Sequence, residues 1–79
     1  MFQMIVVNPQ RVIFEGEASS VFLQGDEGEF EVLDYHGPVL SLLRKGKIVI
    51  DGKKQIKIRG GVARFDHNML VVLAELPRA

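Results

Sequence analysis

Along almost the whole chain, apolar residues recur at every second position, and this period of two limits its fold more than any other feature. Phe2, Met4 and Val6 alternate with Gln3, Ile5 and Val7, and Asn8-Pro9-Gln10 then turns the chain into RVIFEGE. SSVFLQG follows with Val21 and Leu23 on one face, and then come FEVL, VLSLL, KIVI, QIKI, VARF and MLVVLAEL. Runs this short, broken by Asn-Pro, Gly-containing and Asp/Asn turns about every 8–12 residues, predict an all-β sandwich or barrel. No segment reads as a helix, a linker, a repeat or low complexity. Seventy-nine residues therefore make a single domain, 1–79, near the lower size limit for one core.

Parity constrains one hairpin. In KIVIDGKKQIKIRGG the apolar positions Ile48, Ile50, Ile56 and Ile58 are all even, and residues opposite each other in a hairpin share a face. A two-residue Asp51-Gly52 turn would set Ile50 against Lys53 and split the isoleucines. The expected pairing is Ile50 with Ile56 and Ile48 with Ile58, with Gly52-Lys53-Lys54 as the loop. Gly60-Gly61 then supplies a bend that a side chain would block, and Val62 starts the next strand. His67 and Asn68 fall in a further hairpin turn.

Composition narrows the chemistry. Without cysteine there is no disulfide, thiolate metal site or thiol nucleophile. The N-terminus has neither the basic nor the long apolar region of a signal peptide, and no apolar run approaches the roughly 20 residues of a membrane helix, so a soluble domain is expected. Asp34, His36 and Ser41 form an Asp/His/Ser trio on paper, but no nucleophile elbow or oxyanion loop surrounds them. Two separated histidines do not make a metal site, GDEGE matches no phosphate loop, and the DxDxDG alternation of a calcium loop is missing. No catalytic residue, metal or cofactor is expected. The alternative of a lipoyl- or biotin-carrier-like adaptor rests on Lys53 and Lys54 at a hairpin tip, although carrier lysines stand between small or hydrophobic residues.

A net charge of zero hides a polarity along the chain. Residues 1–43 hold seven acidic side chains and one basic, Arg11, whereas residues 44–79 hold nine basic and three acidic. Either acidic and basic strands pair across a sheet, or the fold carries two patches of opposite sign for two partners. Zero net charge and few aromatics argue against nucleic acid as a partner.

The segment GDEGEFEVLDYHGPVLSLLRKG, residues 25–46, holds five carboxylates within nine residues together with Phe30, Val32 and Leu33. It resembles the signature of the epsilon subunit of F-type ATP synthases, approximately G-x-x-G-x-x-G-V-L-P-x-H-x-P-L-L-x-x-L-x-x-G. The agreeing residues are Gly25, Gly28, Val32, Leu33, His36, Pro38, Leu40, Leu43 and Gly46. IVVNPQRVIFEGEASSVFLQG and RGGVARFDHNMLVVLAE resemble the family's opening and closing strands, so the resemblance spans nearly all of the chain. Glu31 stands where a third glycine is usual, and Asp34-Tyr35 replaces Pro-Gly.

The resemblance implies a two-sheet, mainly antiparallel sandwich at the foot of a rotor, non-catalytic and without a cofactor. It implies binding to the gamma subunit and the c-ring, with a role in coupling proton-driven rotation to ATP synthesis. The location implied is peripheral, on the cytoplasmic, matrix or stromal side of an energy-transducing membrane. Carried over residue by residue, Glu29 faces the c-ring, with Asp26, Glu27, Gly28, Phe30 and Glu31 beside it and His36 in the adjoining turn. Asn8 and Ser41 face gamma. The acidic segment is expected to act as a glycine-articulated loop complementary to basic and amide side chains of the ring. Family members usually continue into a C-terminal helical hairpin, which is absent from residues 1–79.

Overall fold

The computed structural model describes residues 1–77, so Arg78 and Ala79 of the expected domain lie outside the described residues. Every apolar run identified in the sequence is a strand: β1 (Phe2–Val7), β2 (Val12–Ala18), β3 (Ser20–Gly25), β4 (Gly28–Leu33), β5 (Val39–Leu43), β6 (Gly46–Ile50), β7 (Lys54–Ile58), β8 (Gly60–Asp66) and β9 (Met69–Glu75). The described residues contain no helix.

The strands form one continuous curled sheet in the order β2-β1-β9-β8-β5-β3-β6-β7, with β4 on β3. All pairs are antiparallel except β1 with β9. Between β5 and β3 the ladder narrows to the single pair Leu43 and Gly25. The sheet folds over at that corner into a five-stranded half (β2-β1-β9-β8-β5) and a four-stranded half (β4-β3-β6-β7), the two layers of a sandwich. Gly25 permits the fold-over, because a Cβ there would lie 2.9 Å from the Phe30 ring and 3.0 Å from Ser41 Oγ. A side chain cannot be accommodated at such distances without displacing its neighbours.

One core joins the halves. Phe2, Met4, Val6, Phe65, Leu70 and Val72 from one half meet Val21, Leu23, Val32, Ile48, Ile50, Ile56 and Ile58 from the other, all buried as the alternation requires. Phe2 and Phe65 meet edge-on at 5.3 Å between centroids. Each such side chain stabilises the fold by about 1.5–3 kcal/mol on burial. No polar side chain among the described residues is buried.

The β6–β7 hairpin corrects the expected register by two residues. Ile48 pairs with Ile56 and Ile50 with Lys54, so Ile58 faces Gly46. Even still meets even, and all four isoleucines are buried. Asp51 and Gly52 make the tight turn after all, at φ 53° and 69°, closed by Lys53 N–H donating to the Ile50 carbonyl at 3.0 Å. Lys53 is then one extra residue, a bulge that lets the Asp-Gly turn and the parity coexist. Asp51 also fastens this tip to the β2–β3 junction, its Oδ1 accepting from Ser19 N at 2.8 Å and Ser20 N at 3.0 Å. A second correction is small: β8 starts at Gly60 rather than Val62. Gly61 is required there, because a Cβ would come within 2.3 Å of the Leu73 carbonyl oxygen.

Candidate protein-docking surfaces

In β1, β5 and β9 most of the positions facing away from the core are also apolar: Ile5 and Val7, Leu40 and Leu42, and Met69, Val71 and Leu73, with Gln3 and Glu75 as the polar exceptions. The registered partners build a row across the outer face of the five-stranded half: Val12 opposite Val7, Val7 opposite Leu73, Leu73 opposite Val62, and Val62 opposite Leu42. Val12, Leu73 and Leu42 are 51%, 56% and 61% exposed. The next row runs Glu15, Ile5, Val71, Arg64, Leu40. A sheet that faces water on one side needs only one apolar face. On this half the outer face carries, besides its charged positions, an apolar row continuous over five strands, the kind of feature that marks candidate interaction surfaces. The signal was present in the sequence, since IVVN, VLSLL and MLVVLAEL are apolar in both parities.

The row ends at the acidic segment, where Asp26 N–H donates to the Leu42 carbonyl at 2.9 Å. This segment is not a loop throughout, which corrects the sequence expectation. Only Asp26 and Glu27 form the turn; Gly28 to Leu33 are strand β4, paired residue for residue with β3. Gly28, at φ 132° with nothing near its Cβ position, supplies the backbone angle that brings the chain back. Pairing dictates what the strand residues can do. Phe30 and Val32 turn inward, Phe30 packing against the rim of the core. Glu31 accepts a hydrogen bond from Ser20 Oγ at 2.8 Å, and Glu29 one from Gln24 Nε2 at 3.4 Å. Asp26, Glu27 and Glu29 are exposed and Glu31 is half-buried, so the outward charge concentrates at the turn.

Asn8 lies in the β1–β2 turn beside the other end of the row, and its Oδ1 accepts from Gln10 N and Arg11 N, both at 2.9 Å. Its side chain shapes that turn. Ser41 is half-buried on β5 between the outward Leu40 and Leu42, with its Oγ donating to the Leu42 carbonyl at 3.0 Å. It therefore faces the Gly25 corner rather than the outer face. His36 is exposed in the β4–β5 connection, with its ring edge-on to Phe65 at 6.1 Å and its Nδ1 within 2.7 Å of the Gly37 carbonyl. Asp34 is committed elsewhere: it pairs with the Met1 amino group and accepts from Asn68 Nδ2 at 3.5 Å. The hydrogen bond from that amino group holds its carboxyl below the ordinary range. Asp34, His36 and Ser41 thus each have separate partners and do not form a relay. Asn68 and His67 make the expected hairpin turn at φ 57° and 51°. Lys53 is the bulge, and Lys54 opens β7 with its Nζ 5.9 Å from the centre of the Phe14 ring.

The charges remain segregated. The ion pairs among the described residues are Met1 with Asp34, Arg64 with Asp66, and His67 with Asp66. None joins the acidic first part of the chain to the lysines of β6 and β7, where Lys47 stands directly opposite Lys57. Cross-strand neutralisation is therefore not how this fold uses its charges.

Residues 1–76 match the family described as ATP synthase, Delta/Epsilon chain, beta-sandwich domain. The chain is 40% identical over 74 residues to the ATP synthase epsilon chain of Campylobacter curvus, covering 89% of this chain and 57% of that protein. It is 35% identical over 81 residues to that of Rhodopseudomonas palustris strain BisB5, covering 99% and 60%. The chain therefore spans somewhat under two thirds of the length of these relatives. Its fold is similar to a chain in the central stalk/c-ring structure of the Tetrahymena thermophila mitochondrial ATP synthase, with a TM-score of 0.79 at 12% identity over 92% of this chain and 62% of that one. A chain in the Euglena gracilis mitochondrial ATP synthase structure gives 0.77 at 21% identity, over 90% and 48%.

Proposed function

We propose, since the chain belongs to the family of the ATP synthase delta/epsilon chain β-sandwich domain, that it is a non-catalytic central-stalk component of a proton-translocating F-type ATP synthase. In this reading the outer face of the five-stranded half docks on the gamma subunit. The Asn8 turn lies at one border of that face, and the strand carrying Ser41 lies at the other. The acidic end, with Asp26, Glu27, Gly28, Glu29, Phe30, Glu31 and His36, meets polar loops of the c-ring. The domain then joins the ring to gamma, so that rotation of one is transmitted to the other. Its association with the membrane is peripheral and runs through the complex.

The observation that carries this reading is the apolar row Val12–Val7–Leu73–Val62–Leu42. A stalk subunit must hold its neighbour through repeated torque, and apolar contact over a face of this breadth is the kind that does so without depending on salt. The adaptor alternative has less support: Lys54 lies over Phe14, whereas a carrier lysine must swing free.

The test is recovery of stalk subunits from solubilised membranes on a tagged chain. Wild type is expected to bring down gamma and the c-ring, and a Leu42→Asp/Leu73→Asp variant is expected to lose gamma while melting as wild type does. Both positions are exposed, so the core is untouched. Full recovery of gamma by the variant would contradict the reading.

A further inference from the structure

Arg64 interrupts the apolar outer face, and among the described residues no acceptor lies within hydrogen-bond length of its guanidinium. It stands opposite Leu40 on one neighbouring strand and Val71 on the other, with Val62 and Asp66 on the same face of β8. Its ion pair within the chain runs from Nη2 to Asp66 Oδ2 at 3.8 Å, beyond hydrogen-bond length. The same oxygen faces His67 Nδ1 at 3.2 Å. The Arg64 side chain is 69% exposed. A shallow depression lies on each flank, one against His67, Met69 and Val71, the other against Pro38, Val39 and Leu40.

Resting on the docking reading above, we propose that Arg64 is the charged anchor of this face, and that the partner covering it presents an Asp or Glu carboxylate to its guanidinium. A surface that covers Val62, Leu40 and Val71 must also strip water from Arg64. A guanidinium cannot escape that cost by losing its proton, as a buried lysine can. Asp66, 3.8 Å away and sharing the same oxygen with His67, is too distant to compensate. The stalk subunit must therefore supply the acceptor, and a carboxylate does so with two parallel hydrogen bonds. The other outward charge in this row, Glu15, lies three strands away beyond Val71 and Ile5. A partner with one carboxylate set among apolar groups, two of them filling the depressions, thus fits in a single register. The apolar row supplies adhesion and Arg64 supplies alignment.

The experiment measures calorimetric binding to the gamma subunit of the same enzyme for wild type, Leu73→Asp, Arg64→Ala, Arg64→Lys and Arg64→Glu. Sedimentation of the chain alone and a thermal melt of each variant accompany it. Arg64→Ala is expected to weaken binding roughly 30-fold or more, as truncation of one member of a buried charge pair does. Arg64→Lys should recover only part of this, and reversing the partnering carboxylate on gamma should rescue Arg64→Glu. Melting should be unchanged. Unaltered affinity of Arg64→Ala beside a loss for Leu73→Asp would overturn the anchor and leave the docking reading standing. Unaltered affinity for both would remove the docking reading and the anchor with it. A dimer of the chain alone that Arg64→Ala dissolves would make the occupant a second copy and overturn the assignment.

Discussion

Asp34 ties the start of β1 to the β4–β5 connection, and its protonation state decides how firmly. The Met1 amino group hydrogen-bonds its carboxylate and lowers its pKa; partial burial opposes this, and Asn68 with the amino charge adds to the lowering. A carboxylate with a lowered folded pKa contributes stability that is complete above its unfolded value, about 3.9. That contribution is lost as the pH falls through the lower folded value. The difference in urea midpoint between wild type and Asp34→Asn should therefore be constant near about pH 6 and shrink towards zero below the ordinary carboxylate range. A difference that grows on acidification would contradict the assignment. Nothing in the sequence marks this tie, because Asp34 and Met1 meet only through the fold. The glycines are the reverse case. Gly25, Gly28 and Gly61 were visible as signals, but the close approaches and the backbone angle that require them depend on which strands meet at the corner.

At the scale of the element, the β3–β4 hairpin shows how far a strand pattern can be read. FEVL was legible as a strand, yet the carboxylates around it suggested a loop, because charge on an edge strand and charge in a turn look alike in sequence. Pairing with β3 divides them: Asp26 and Glu27 point freely from the turn, while Glu31 is held by Ser20. Each exposed charge facing a partner is worth no more than about 1 kcal/mol, and such pairs are screened within about 8 Å at physiological salt. Glu29→Lys alone should leave ATP synthesis in reconstituted membranes nearly unchanged. A Glu27→Lys/Glu29→Lys/Glu31→Lys variant should lower it clearly, because repulsion replaces attraction at several points. That variant should also lose about 1 kcal/mol of stability, through the lost Ser20–Glu31 bond. Full synthesis by the triple variant would make the hairpin an ordinary solvated edge. The β6–β7 hairpin carries a similar lesson, since parity fixed the inward face but not the register, which a one-residue bulge decides.

Viewed whole, the molecule is a dry sandwich with distinct outer surfaces. The five-stranded half carries an apolar row on its outside, the acidic hairpin borders it at Leu42, and the lysines of β6 and β7 lie on the other half. The sandwich was legible from period and turn spacing, and the acidic segment from composition. The apolar row on the outer face left a signal, the apolar residues at both parities of IVVN, VLSLL and MLVVLAEL, but that signal alone reads simply as a hydrophobic strand. Only the register, which aligns five strands, turns those residues into a surface. The account stands on that surface being covered by gamma. Its most direct test places a photo-crosslinking side chain at Leu73, in the middle of the row, and at Lys57, on the outside of the other half, in the assembled enzyme. The account predicts that the Leu73 probe is captured by gamma and the Lys57 probe is not; capture of gamma from position 57 with none from position 73 would contradict it.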